Sequence, residues 1–251
     1  MVWYSGHMSW DAFWHNLDRL WHSDWKLVGY ALIAVIWYNL GQIWTQSWTR
    51  WVSMGMTILF TLYLVWHWHI NRHELGLERR SVVRGLLWGG AAVLAIGLVL
   101  GLAFLFRPAA FIDNRYHVGW GEAWSTMLVS IPLRTVLFEE FLFRGVLLGS
   151  LQRLVRIRWA VIISSITFGL WHIQPSLYLS TSSEALHKAG ATTGNPALAA
   201  VLVSVVATTV AGGAFAWLKL RSTSLIAPIL AHWAINALSV GLVVAAYARV
   251  H

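Results

Sequence analysis

Apolar residues fall into seven long runs along the chain, at 27–44, 52–70, 85–106, 123–151, 159–179, 197–218 and 224–248. Each approaches the roughly 20 residues that a helix needs to cross the hydrocarbon of a bilayer. None shows the two-residue alternation of a half-buried strand, and a helix satisfies its own backbone hydrogen bonds in lipid. The pattern predicts an all-α, polytopic membrane helix bundle with about seven transmembrane helices. The first run is short and carries Asn39, whereas the fourth is too long and too polar for a plain span. Before the first run, Trp10, Phe13, Trp14, Leu17, Leu20, Trp21 and Trp25 recur at helical spacing. That spacing predicts a helix over residues 1–25 lying in the membrane interface. The same stretch lacks the basic start and unbroken apolar core of a secretory signal and contains Asp11, Asp18 and Asp24. With no internal repeat, low-complexity tract or second domain, residues 1–251 read as a single membrane domain.

Composition sharpens the picture. The chain is 58% hydrophobic and 11% charged, against about 45–50% and about 25% in a soluble domain, which excludes an ordinary water-soluble globule. Cysteine is absent, so disulfides, thiolate–zinc sites, iron–sulfur clusters and a cysteine nucleophile are excluded. A net charge of +8 would point to nucleic acid only on a solvated basic face. Here the cations lie between apolar runs, and no nucleic-acid partner is expected. One side of the predicted bundle collects eleven: Arg19, Lys26, Arg72, Arg79, Arg80, Arg84, Arg153, Arg156, Arg158, Lys219 and Arg221. The other has five, at Arg50, Arg107, Arg115, Lys188 and Arg249. The positive-inside rule then puts the N-terminus in the cytoplasm and the C-terminus outside. The 18 tryptophans suit interfacial belts.

Eight of the ten acidic residues fall in predicted loops or the N-terminal segment; the other two are adjacent, Glu139 and Glu140, with Arg134 and Arg144 on the same run. An ionisable group at bilayer depth costs about 2.5–3.5 kcal/mol on insertion scales, so these groups need partners or water. Glu140 and Arg144 are four apart and share a helix face, whereas Glu139 lies about 100° round from Glu140 and is left to face something else. A desolvated carboxylate is a competent general base near neutrality. His172 is the one titratable group of the stretch Val161–His172 in the fifth run, and His232 and Asn236, four apart, share a face of the seventh. His67 and His69, flanked by tryptophans, read as interfacial anchors. Thr208, Thr209, Gly212 and Gly213 read as close helix packing. There is no GxSxG elbow and no HExxH, the two commonest hydrolase signatures.

The order Glu139-Glu140-Phe141-Leu142-Phe143-Arg144, Phe168-Gly169-Leu170-Trp171-His172 and His232-Trp233-Ala234-Ile235-Asn236 resembles the CPBP family of intramembrane proteases, which includes CAAX prenyl endopeptidases and bacterial Abi proteins. The resemblance covers about residues 120–240, the expected catalytic core. It implies that Glu139 activates a water with help from His172, that His232 and Asn236 form an oxyanion hole, and that Glu140 and Arg144 orient the catalytic helix. The implied substrate is a membrane protein or lipidated peptide at the bilayer, and the implied setting is a bacterial plasma membrane. No cofactor is expected; zinc is the alternative, since a Glu/His/His set can ligate it with an open fourth position, but Asn236 suits an oxyanion donor better than a metal ligand. Arg134 is a candidate for attracting a substrate carboxylate or lipid headgroup, against snorkelling. The rival readings are a non-catalytic immunity or chaperone protein of the same fold, and a transporter using Glu and His as a proton relay.

Overall fold

The computed structural model describes residues 23–41, 47–177 and 195–250. The interfacial helix expected over residues 1–25 therefore lies outside the described residues but for its last three positions, as does most of the expected loop at 180–196. Seven helical stretches and no strand make up the described chain. These are α1 (Asp24–Gly41), α2 (Ser47–His67), α4 (Val82–Phe106) preceded by the single turn α3 (Arg72–Leu75), a long α5 that opens at Trp120–Ser125 and closes at Leu148–Leu154, α6 (Ile157–Trp171) continued by α7 (Ile173–Leu177), α8 (Pro196–Ser222) and α9 (Ile226–Val250).

Local chemistry sets the ends. Asn71 and Glu74 form a reciprocal capping box on α3. Gly76, left-handed at φ 74°, ends it. Its carbonyl then accepts the Leu225 N–H at 2.8 Å, joining α3 to the turn between α8 and α9. Four stretches, Arg72–Phe106, Ile157–Leu177, Ala197–Ser222 and Ile226–Arg249, are long and apolar enough to cross a membrane. The runs on α1, α2 and α5 are not among them, for reasons visible in their side chains. The 18 residues of α1 include Asp24, Lys26 and Asn39, α2 buries a polar stripe of Ser53, Thr57 and Thr61, and α5 carries the four charges. The surface is inside-out relative to a soluble bundle: on α4 only Gly85 and Gly89 are buried, while Leu94 is 76% and Phe106 82% exposed. Such apolar surface belongs in lipid. The protein is an integral membrane helix bundle.

Helix α5 is the axis, touching α1, α2, α3, α6, α8 and α9. Around it α4 packs along α9, and α6 along α8. Small residues permit both approaches. A Cβ added at Gly169 would fall 2.8 Å from the Val205 carbonyl, and one at Gly89 3.2 Å from the Ala227 Cα. The main core joins Leu142, Phe143 and Leu147 of α5 to Phe168, Trp171 and Phe215. A second core of Met127, Ile131 and Val136 meets Ala237, Val240 and Val244 of α9. The site lies between the two.

Candidate active site

The acidic pair stands on one ordinary helical turn, Leu137–Glu140, between two wider π-type turns, Pro132–Val136 and Phe141–Leu147. Wide turns of this kind accompany functional sites in helices, because they trade backbone regularity for side-chain placement. Since α5 is enclosed by neighbours over residues 138–151, residues 100° apart there both face protein. Glu139 is 7% exposed and Glu140 not at all.

Glu140 organises the buried charge. Its Oε1 accepts from Arg144 Nη1 at 3.1 Å and from His232 Nδ1 at 2.8 Å. Arg144, also fully buried, donates from Nη2 to the Gly212 carbonyl at 3.3 Å. Its guanidinium carbon lies 4.0 Å from the Phe168 ring centroid and 5.1 Å from that of Phe215. These rings supply the cation–π contacts that help a desolvated arginine. Gly212 makes the approach possible: a Cβ there would lie 3.2 Å from both Phe168 Cδ1 and Ser165 Cα.

Both histidines are fixed through Nδ1. An oxygen of the Arg144-paired carboxylate can only accept, so His232 donates its Nδ1–H to it, leaving Nε2 4.0 Å from Glu139 Oε2. The ring lies nearly parallel to Phe215, centroids 5.1 Å apart. His172 ends α6 and donates Nδ1–H to the Phe168 carbonyl at 2.8 Å, which likewise leaves its Nε2 available.

Glu139 is held at one oxygen only. Trp171 Nε1 donates to Oε1 at 3.3 Å, while Oε2, buried, has no hydrogen-bond partner among the described residues. Trp171 is itself clamped: Tyr38 stacks on it at 4.9 Å, and Asn39 Nδ2 donates to its carbonyl at 2.7 Å. A cavity of about 430 Å³ opens in front, lined by Glu139, His172, Asn236, Trp171, Arg115 and Thr135 among others. His232 is not in that lining and lies behind it, 4% exposed. The Asn236 amide makes no hydrogen bond with a described side chain or carbonyl and lines the cavity from α9.

Arg134 lies elsewhere. It is exposed, its guanidinium carbon 4.7 Å from the Trp51 ring centroid, and it does not line the cavity. The arginine that does is Arg115, whose Nε and Nη2 bond Asp113 at 3.0 and 2.6 Å. Burial works against its charge, but the Asp113 bonds outweigh this and raise its pKa above the ordinary value. Sequence reasoning missed Arg115, Trp171, Tyr38 and Asn39 as site residues. Trp171 and Asn39 had a signal, the first inside a motif beside His172 and the second as an amide in an apolar run. Arg115 and Tyr38 had none, because only folding brings them to α5.

Residues 121–238 match the family model described as type II CAAX prenyl endopeptidase Rce1-like. Over that stretch, a little under half of the chain, the sequence is similar to the Rce1-like family. Glu139, Glu140, Arg144, His172, His232 and Asn236 all fall inside it. No curated protein and no solved structure matches the chain. That similarity supports an intramembrane protease that acts on membrane-associated substrates. Zinc in such a site would require three converging ligands. Among the described residues no three His, Asp or Glu side chains converge closely enough to hold a metal ion.

Proposed function

We propose that the protein is an intramembrane endopeptidase in which Glu139 is the general base and no metal takes part. The observation that carries this reading is the asymmetry of the Glu139 carboxylate, tied at Oε1 and unpartnered at Oε2 on the wall of a cavity. Oε2 takes a proton from a water, the hydroxide adds to the substrate carbonyl carbon, and the carbonyl oxygen becomes the anion. Asn236 donates to that oxyanion, and His232, when protonated at Nε2, adds a second donor. Glu139 then returns its proton to the leaving amine as the C–N bond breaks, so protons and electrons balance. His172 helps to hold the water. Glu140 and Arg144 act indirectly, by fixing His232 and the turn that carries Glu139.

The substrate in this reading is a membrane-associated protein chain, lipidated or bearing a C-terminal signal. Arg115, the one Lys or Arg in the cavity wall among the described residues, suits a chain-terminal carboxylate. The charge asymmetry of the loops supports a cytoplasmic N-terminus, and the membrane in this reading is a bacterial plasma membrane. The test is hydrolysis of a membrane-embedded reporter by purified protein and by Glu139→Gln, with metal analysis of the same preparation. Loss of cleavage with no stoichiometric zinc is expected. Wild-type cleavage by Glu139→Gln refutes the assignment, and zinc lost in step with activity refutes the metal-free mechanism.

A further inference from the structure

A second polar pocket lies apart from the acidic pair, where the ends of α5 and α8 meet α3. Its volume is about 250 Å³ and its lining includes His73, Glu74, Gln152, Arg153, Lys219 and Thr223. The helix ends around it carry exposed arginines, Arg72, Arg79, Arg80, Arg156, Arg158 and Arg221, the same set that marks the cation-rich side of the bundle.

Lys219 is the anomaly. It sits in the last turn of α8, where a lysine stem can ordinarily snorkel its ammonium into water, yet it is 5% exposed. Its Nζ donates to the Glu74 carbonyl at 2.9 Å, one acceptor for three donors. Among the described residues no carboxylate lies within ion-pair distance of it. The nearby Glu74 carboxylate is already committed, Oε1 to Arg153 Nε at 2.8 Å and Oε2 to Arg153 Nη2 and the Asn71 N–H, both at 2.9 Å. Arg153 is matched in turn, reaching Asp24 at 3.2 Å. Asp24 and Glu74 together offset Arg153 and Lys219, but both carboxylates bond Arg153, and among the described residues the Lys219 ammonium has the Glu74 carbonyl as its one acceptor beside an open pocket. A buried ammonium with one acceptor for three donors has two N–H groups left to satisfy, and an anion entering the pocket would supply both acceptors and charge.

We infer that this pocket binds a phosphate-bearing anion through Lys219, and that the surrounding arginines draw it from the headgroups of acidic phospholipids. Basic pockets between helices on the cation-rich face meet a leaflet whose surface potential is negative, and each basic group near it contributes to headgroup binding. The pocket does not touch the Glu139 cavity, so the inference stands independently of the proposed protease mechanism.

The test uses the full-length protein in zwitterionic detergent. Short-chain phosphatidylglycerol, short-chain phosphatidylcholine and inorganic phosphate are titrated separately, reading the thermal unfolding midpoint and retention of one lipid by native mass spectrometry. Phosphatidylglycerol is expected to raise the midpoint and be retained, and phosphatidylcholine to do neither. Lys219→Met should raise the half-maximal phosphatidylglycerol concentration by about fivefold or more. Gln152→Glu places an acid at an exposed rim position, leaves the core intact, and is expected to weaken binding similarly should Lys219→Met fold poorly. A Lys219-dependent shift with inorganic phosphate alone keeps the phosphate site but overturns its assignment to lipid. No shift with either anion, or equal shifts in wild type and both variants, overturns the site.

Discussion

Arg144→Met removes the cation from the buried Glu140–Arg144–His232 cluster while keeping much of the side-chain volume. In the native protein Glu140 Oε1 has two donors, at 3.1 and 2.8 Å, and both charged side chains are fully buried. The variant leaves a carboxylate out of water with a histidine as its one donor. Breaking a buried pair from one side costs about 3–5 kcal/mol, with a contribution of up to ~2 kcal/mol from the lost cation–π contacts. The Gly212 carbonyl also loses the Arg144 donor, whereas the Phe168 and Phe215 rings accept a thioether readily. Glu140→Gln in the same background removes the stranded charge but keeps an amide oxygen for His232 Nδ1–H. The double variant should therefore regain most of the lost stability. Unfolding in mixed micelles of mild detergent and sodium dodecyl sulfate gives the cycle, with Glu140→Gln alone as the fourth corner. Activity should fall in every corner but the wild type, because only there is the Glu140 carboxylate that holds His232 itself fixed by Arg144. Wild-type stability in Arg144→Met, or a double variant less stable than the sum of the singles, would refute the claim that the cluster is an ion pair sealed from solvent.

Gly169→Ala should destabilise by about 1–3 kcal/mol, because the new Cβ meets the Val205 carbonyl at 2.8 Å. Gly90→Ala, with nothing within 4 Å, should be neutral or slightly stabilising; equal unfolding midpoints for the two would contradict the α6–α8 contact. Arg115→Gln should raise KM for a substrate with a free C-terminal carboxylate but not for its C-terminal amide, whereas Arg134→Ala should leave both unchanged. The reverse pattern would move substrate recognition to Arg134. Absent native cysteines make accessibility mapping direct. Arg80→Cys should label from the cytoplasmic side and Ala110→Cys from the outer side of oriented vesicles, and swapped labelling would invert the topology.

Hydropathy alone carried the architecture, because a bilayer demands long apolar helices whatever surrounds them. The four-residue spacing of Glu140 and Arg144 likewise carried their ion pair, since α-helical geometry makes such residues neighbours. The 100° offset of Glu139 from Glu140 proved less informative. It separates inside from outside only where a helix has one free face, and over residues 138–151 α5 has none. Spacing also paired His232 with Asn236 on one face of α9, yet the fold gives them different surroundings: Asn236 lines the cavity, while Glu140 draws the His232 ring inward by its Nδ1–H. Thr209 and Gly212 read as packing residues from sequence, and Gly212 proved also to be the acceptor for Arg144.

Local periodicity, then, determined which segments are helices, which residues are costly in lipid and which near neighbours pair, because those depend on contacts within a few residues and on the solvent. Which oxygen of Glu139 is held, which arginine reaches the cavity and why Lys219 is buried were decided by tertiary structure. Each of those depends on a partner from a distant helix or loop, Trp171 for the first, the 113–116 loop for the second and α3 for the third, and no periodicity along the chain encodes a distance across the bundle.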